Sequence, residues 1–490
     1  MFPTKKKMQQ KKPMYQQLYE AIKTEIENNR LVSGSKLLSI RQMAQEWQVS
    51  RNTVEAAYHQ LLDEGYVKSK EKSGYYVEDL LADGWAKDVT LEVVKHSARL
   101  VDEPDDVVAP ARYDFVYGKV DGNVFPLKQW RACMEEAMQF ELDRTEAYGE
   151  YQGESLLREA LVTYVYQARG IRCGVEQIFI GSGTQQLLSL LCQTVFRDKS
   201  VVAMEDPGYD QVRHVFHSHE MSVLPIQLDK DGIRLDQLMA SKADIAYVTP
   251  SHQYPYGMVM SIVRRLQLIA WANETGAYLI EDDYDGEFRY GTKPIPALKA
   301  LDNNERIIYF GTASKVLLPS LRISYMILPQ SLVTQYQEIW KKYLQTAPRV
   351  IQYALALFIQ KGEWIRHIRR MRNLYAKKHR ILLQTLTKTM GEQIEIIGSE
   401  AGLHILIRIH TTYTEDELIQ RARKQDCQVY SIKQYYQHGG QRKNSETSEY
   451  PVLLLGFGAI PIEEITPGIE ALYKAWWGSD HTSASHHKSN

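Results

Sequence analysis

Cysteine is scarce in this chain: four residues in 490, Cys133, Cys173, Cys192 and Cys427, with no CxxC spacing among them. That argues against a disulfide scaffold and a zinc ribbon, and it fits a reducing cytoplasm. No run of eighteen apolar residues occurs, and the lysine-rich N-terminus has no apolar stretch behind it. Neither a membrane-spanning helix nor a secretory signal is expected. An excess of either charge is also missing, with 59 Lys+Arg against 60 Asp+Glu. What remains is 44% hydrophobic and 24% charged residues, the make-up of a folded protein, over a length that calls for two or three domains.

The even balance hides an uneven distribution. Residues 1–78 hold thirteen Lys+Arg against nine Asp+Glu, a balance of +4; the remainder, 46 against 51, carries −5. A basic head on a mildly acidic body is the layout of a nucleic-acid-binding module joined to a different domain. Five of those thirteen cations belong to a lysine tail (Lys5, Lys6, Lys7, Lys11, Lys12), so charge alone leaves the matter open.

Pattern says more. Leu18, Ile22 and Ile26 stand four apart and predict a helix over 14–29, ended by Gly34. Ser39 opens a short helix with Ile40, Met43 and Trp47 on one face. Ser50 opens a third, which Gly65 stops. The run YVKSKEKSGYYVED reads as a hairpin. Three helices and a hairpin predict a winged helix-turn-helix over 1–78. In such a module the second helix of the pair enters the major groove N-terminus first. Here it begins Ser50-Arg51-Asn52-Thr53. Hydroxyls and backbone N–H groups hold phosphates, while Arg51 and Asn52 suit base edges. Ser39 and Arg41 open the preceding helix, placed for the phosphate backbone, and Lys68, Lys70 and Lys72 flank the wing turn. Each alone is an ordinary solvated residue; together they predict a double-stranded DNA partner.

Residues 79–112 are mixed and acidic and read as a linker. From 113 to 475, short β-type runs (IFIGSG, VVAMED, IAYVTP, AYLIEDD, IIYFGT) alternate with helices or loops, predicting a mostly parallel sheet in an α/β domain. Residues 476–490 are expected to be a flexible tail. Four constellations sit at strand ends. Gly181-Ser182-Gly183-Thr184-Gln185 is a strand-to-helix turn able to face a phosphate. Glu281-Asp282-Asp283-Tyr284 offers a carboxylate to a pyridine nitrogen and a phenol to a ring oxygen. Gly311-Thr312-Ala313-Ser314-Lys315, with Pro319 and Arg322, suits a Schiff-base lysine beside a phosphate cup. Asp206-Pro207-Gly208-Tyr209 offers a ring to stack on a planar group. The cofactor that these parts suit is pyridoxal 5'-phosphate.

The head resembles a GntR-type winged helix over its full length, with Leu38 where that family usually has proline. The order of the four motifs resembles fold-type I aminotransferases of the aspartate aminotransferase type. A GntR-type head on such a domain, with EDPGY, TPSHQYPYG, EDDYDGEF and GTASK, is similar to the MocR/GabR family of transcriptional regulators. The resemblance implies an internal aldimine on Lys315, Asp282 rather than Asp283 at the ring nitrogen, Tyr284 at the ring oxygen and Tyr209 stacked on the ring. Gly183, Thr184, Thr312, Ser314 and Arg322 would surround the phosphate. Tyr148 would reach the neighbouring subunit's phosphate in a domain-swapped homodimer. A small amine or amino acid would be sensed by aldimine exchange at Lys315.

Two departures stand out. Free aminotransferases commonly have N-P-x-G where this chain has Tyr254-Pro255-Tyr256-Gly257. They also clamp the substrate carboxylate with an arginine near a late strand, whereas no Lys or Arg occurs here from Asn444 to Tyr473. Either another cation substitutes or the effector is not a plain α-amino acid. The alternatives to a sensor are a working aminotransferase with an accessory DNA-binding module and a DNA-binding protein whose large domain only dimerises.

Overall fold

Helix α1, Met14–Glu27, buries Leu18, Tyr19, Ile22 and Ile26, the stripe expected from their spacing. Helices α2 (Ile40–Trp47) and α3 (Arg51–Asp63) follow, then strands β1 (Val67–Lys70) and β2 (Gly74–Val77), paired antiparallel. The structure, a computed structural model, describes residues 13–28, 30–70, 73–78, 111–142, 148–290, 296–437 and 450–478. The chain divides into two compact units, Met1–Val107 and Val108–Asn490, a division that falls inside the expected 79–112 linker.

In the first unit the turn between α2 and α3 is fixed by its own hydroxyls. Ser39 caps α2 in a reciprocal box with Gln42, and Ser50 Oγ accepts from the Thr53 N–H at 3.1 Å. Each cap is worth about 1 kcal/mol. Met43, Trp47, Val54, Tyr58 and Leu61 close the core between the helices. Tyr58 Oη donates to the Leu38 carbonyl at 2.8 Å, tying down the loop where proline is replaced.

The second unit begins with β3 (Tyr113–Asp114). Strands β4 (Ile178–Gly181), β5 (Val201–Asp206), β6 (Ser222–Asp229), β7 (Gly232–Ile233), β8 (Ile245–Val248), β9 (Tyr278–Asp283), β10 (Ile307–Thr312) and β11 (Ser324–Ile327) form one sheet, in the order β4-β11-β10-β9-β8-β5-β6-β7. The pairs β10–β9, β9–β8, β8–β5 and β5–β6 are parallel. Strand β11 is antiparallel to both neighbours, so Ser324 faces Thr312 on one side and Gly181 on the other. Strands β4 and β8 are buried at every position, as expected where helices cover both faces. A second sheet holds β12 (Ile394–Ile397), β13 (His404–Ile409), β15 (Tyr430–Ser431) and β16 (Val452–Gly456), while β14 (Cys427–Gln428) pairs with β3. The last helix, Ile462–Trp477, runs two residues past the expected boundary at 475. Trp476 is buried and its indole N–H donates to the Leu418 carbonyl at 3.0 Å, so it belongs to the domain and not to a tail. Among the described residues no helix is long and apolar enough to cross a membrane.

Candidate functional site

Ligands of open parallel sheets bind beyond the carboxyl ends of the strands. At that edge β4 leads through Ser182 and Gly183 into the helix Thr184–Thr194. Gly183 has φ +152°, and a Cβ there would collide with Nη2 of Arg322. Only glycine lets the guanidinium close on this loop. Arg322 itself sits at φ 51°, ψ 49°, a left-handed conformation costing about 1–2 kcal/mol in a non-glycine residue. Across β11, Ser324 Oγ donates to Thr312 Oγ1 at 3.1 Å, and the Ser314 N–H donates to the same oxygen at 3.2 Å. Arginine, hydroxyls and a helix N-terminus make a cup of donors, the arrangement that holds a phosphate.

These groups line a cavity of about 190 Å³. Nine of the ten residues expected at the cofactor meet there: Gly183, Thr184, Tyr209, Asp282, Tyr284, Thr312, Ser314, Lys315 and Arg322. The tenth, Tyr148, does not line it and is 87% exposed. Lys315 Nζ lies 3.4 Å from the Gly118 carbonyl and 4.4 Å from the centre of the Tyr117 ring. Burial pulls its pKa down, opposed by Asp285 and Asp282. A desolvated lysine gives up its proton more readily, and the free amine is the nucleophile.

The pleat separates the two adjacent aspartates. Asp282 lines the cavity, accepts from the Tyr247 hydroxyl, and is pushed up to about 7 by burial, with Asp283 and Asp285 adding to the rise. Asp283 accepts from Tyr309 Oη at 2.8 Å and pairs with Arg169. Burial would raise its pKa as well, but the Arg169 guanidinium outweighs it and holds the carboxyl below its usual value. Tyr284 Oη donates to the His252 carbonyl at 2.8 Å and lies 3.0 Å from His252 Nδ1, which pairs with Asp285 at 2.9 Å. Tyr209 Oη donates to Gln211 Oε1 at 2.8 Å, and its ring meets Tyr254 edge-on at 5.8 Å.

Sequence reasoning missed Tyr117, Gln211, Thr249 and Ser324 on the wall, gave no role to Tyr254, and missed the His252–Asp285 pair behind it. Thr249, His252 and Tyr254 stood inside the quoted TPSHQYPYG run and Asp285 inside EDDYDGEF; nothing local marked Tyr117, Gln211 or Ser324.

On the winged helix, Arg41, Arg51 and Asn52 are exposed, at the N-terminal ends of α2 and α3. The Ser39 and Ser50 hydroxyls, expected at phosphates, are engaged as caps, and Thr53 Oγ1 lies 2.8 Å from Ser50 Oγ. Lys70 is exposed with Nζ over the Tyr76 ring at 4.7 Å, and Lys68 pairs with Glu78 at 2.7 Å. Lys72 lies outside the described residues.

Residues 14–77 match the family of bacterial regulatory proteins of the gntR type, and residues 119–442 match aminotransferase class I and II. The uncharacterized HTH-type transcriptional regulator YdeL of Bacillus subtilis (strain 168) is 40% identical over 95% of this chain and 97% of its own length. The chain belongs to the MocR/GabR family. The probable rhizopine catabolism regulatory protein MocR of Rhizobium meliloti is 29% identical, over 96% of this chain and 95% of that protein. Among solved structures, a Pyrococcus horikoshii kynurenine aminotransferase is 25% identical with a TM-score of 0.66, covering 79% of this chain and 95% of that one. As a member of the MocR/GabR family, the protein is a DNA-binding transcriptional regulator with an aminotransferase-like domain, and its cofactor is pyridoxal phosphate. The residues present fit that cofactor: a cup cleared by Gly183 for Arg322, a buried amine, and a buried acid on the same wall.

Proposed function

We propose that the protein works as a cytoplasmic homodimer that senses a small amine or amino acid at Lys315 and changes its hold on a DNA operator in response. The observation that carries this reading is the buried Lys315 amine sharing one cavity with Asp282 and Arg322. Pyridoxal phosphate supplies an aldehyde that condenses reversibly with primary amines, so an effector amine and Lys315 compete for one carbon. Gly183, Thr184, Thr312, Ser314 and Arg322 would hold the phosphate, and Asp282 would face the ring nitrogen. Tyr284 would reach the ring oxygen, with Tyr209 stacked on the ring. The exposed Tyr148 supports a site completed across a dimer. On the winged helix, Arg51 and Asn52 would read bases and Arg41 and Lys70 would hold phosphates, with Ser39 and Ser50 presenting the N-terminal amides of α2 and α3. Little turnover is expected, because β16 and its flanks carry no arginine for a substrate carboxylate.

Purified protein should absorb at the blue edge of the visible range, and Lys315→Ala should abolish that band. A colourless wild type in excess cofactor would overturn the reading. Footprinting should show two repeated half-sites whose protection changes with effector; unspecific, fully salt-sensitive binding would count against it. Steady release of keto acid from amino donors would favour a working aminotransferase instead.

A further inference from the structure

The cavity has two chemically different ends. Arg322, Thr312, Ser314 and the helix N-terminus at Thr184 present donors suited to a dianion. Phenols wall the rest: Tyr117, Tyr209, Tyr254 and Tyr284 line it, and Tyr435 meets Tyr254 edge-on at 4.8 Å. Burial keeps Tyr117, Tyr254 and Tyr284 protonated and neutral. Among the described residues that line the cavity only Lys315 and Arg322 are cationic. Arg322 faces Gly183 at the dianion end, and Lys315 is the competing amine.

Two acids stand behind the phenols, with the Arg289 guanidinium near enough to bear on one of them, Asp285. Asp285 pairs with His252 behind Tyr284, and Asp210 lies close enough to bear on both Tyr209 and Tyr254. One turn beyond Tyr209, Arg213 does not line the cavity: its Nη2 donates to the Tyr435 carbonyl at 2.7 Å and lies 4.0 Å from Asp206. Among the described residues, an effector carboxylate at this end would lose its water and find no guanidinium on the phenol wall to pair with it. An amine with an apolar, aromatic or second cationic group would meet ring faces and acids instead.

We propose that the effector is a primary amine that carries no carboxylate. This rests on the reading of Lys315 given above and narrows it to a ligand class.

The test titrates the full-length, cofactor-loaded protein with n-propylamine, 2-aminobutyrate and 4-aminobutyrate, which differ by a carboxylate at one end or the other. The change in the visible band is followed, and half-saturation is compared as concentration of free base. Propylamine should half-saturate about tenfold below either amino acid, or lower still. Tighter binding of an amino acid would overturn the proposal while leaving amine sensing intact. A band that Lys315→Ala removes but that none of the three ligands shifts would reject the sensing reading and this inference together. Gln211→Arg places a guanidinium on the wall beside Tyr209, and should move the preference toward 4-aminobutyrate. An unchanged ratio in that variant would overturn the assignment of this wall to the effector's far end.

Discussion

On the winged helix, Arg41, Arg51 and Asn52 stand in solvent, whereas in the large unit Asp282 is buried and Lys315 and Tyr284 are half-buried, with the ionisation of all three displaced by loss of water. The two regions therefore work by different physics. At the exposed helix ends, charges act through water and salt, and selectivity comes from where rigid caps hold them. In the cavity, removal of water changes the groups themselves, lowering an amine and raising an acid.

The largest effect is expected at the small unit's core. Trp47 is only 1% exposed, between α2 and α3, and Trp47→Ala should cost about 3–5 kcal/mol of that unit's stability. Operator protection should vanish while the visible band of the large unit persists; loss of both would show that the units do not fold separately. The next effect is expected at Asp282 in protein stripped of cofactor. Its carboxyl, ordinarily near 3.8, titrates at about 7 when folded, so the folded state holds the proton more tightly. Stability should then fall as pH rises from about 4 to about 7. Asp282→Asn should remove this group's share of the slope, leaving that of Glu205 and Glu281, which burial also pushes up to about 7. The gain over wild type should be about 4 kcal/mol above pH 7 and almost nothing below pH 4, as read by urea unfolding. The smallest effect belongs to the surface: Arg51→Ala should weaken operator binding about 10- to 100-fold by fluorescence anisotropy, without moving the visible band.

What could be read in advance was what is local. Ser39 and Ser50 announce helix starts because a cap acts within three residues, and the Thr312-to-Arg322 run lies in one connection. That Asp282 lines the cavity while Asp283 does not follows from the pleat and from Arg169, which comes from a helix 114 residues away in sequence. Tyr117 and Gln211 reach the site through tertiary packing that leaves no local pattern, and the His252–Asp285 pair joins two runs whose sequence does not show that they meet. The misplaced boundary at 475 has a plain cause as well: Trp476 and Trp477 adjoin a small polar run, and only the packing against Leu418 shows where the helix ends.

Ser324 borders the arcs from Gly181 and Thr312 at once, so a single short strand acts as the crossbar between them. Lengthening the connection 313–323 alters a loop, but deleting one residue within β11 turns the crossbar inside out and pulls the arcs out of step. Engineering a new ligand preference should therefore spare this strand and vary the wall opposite.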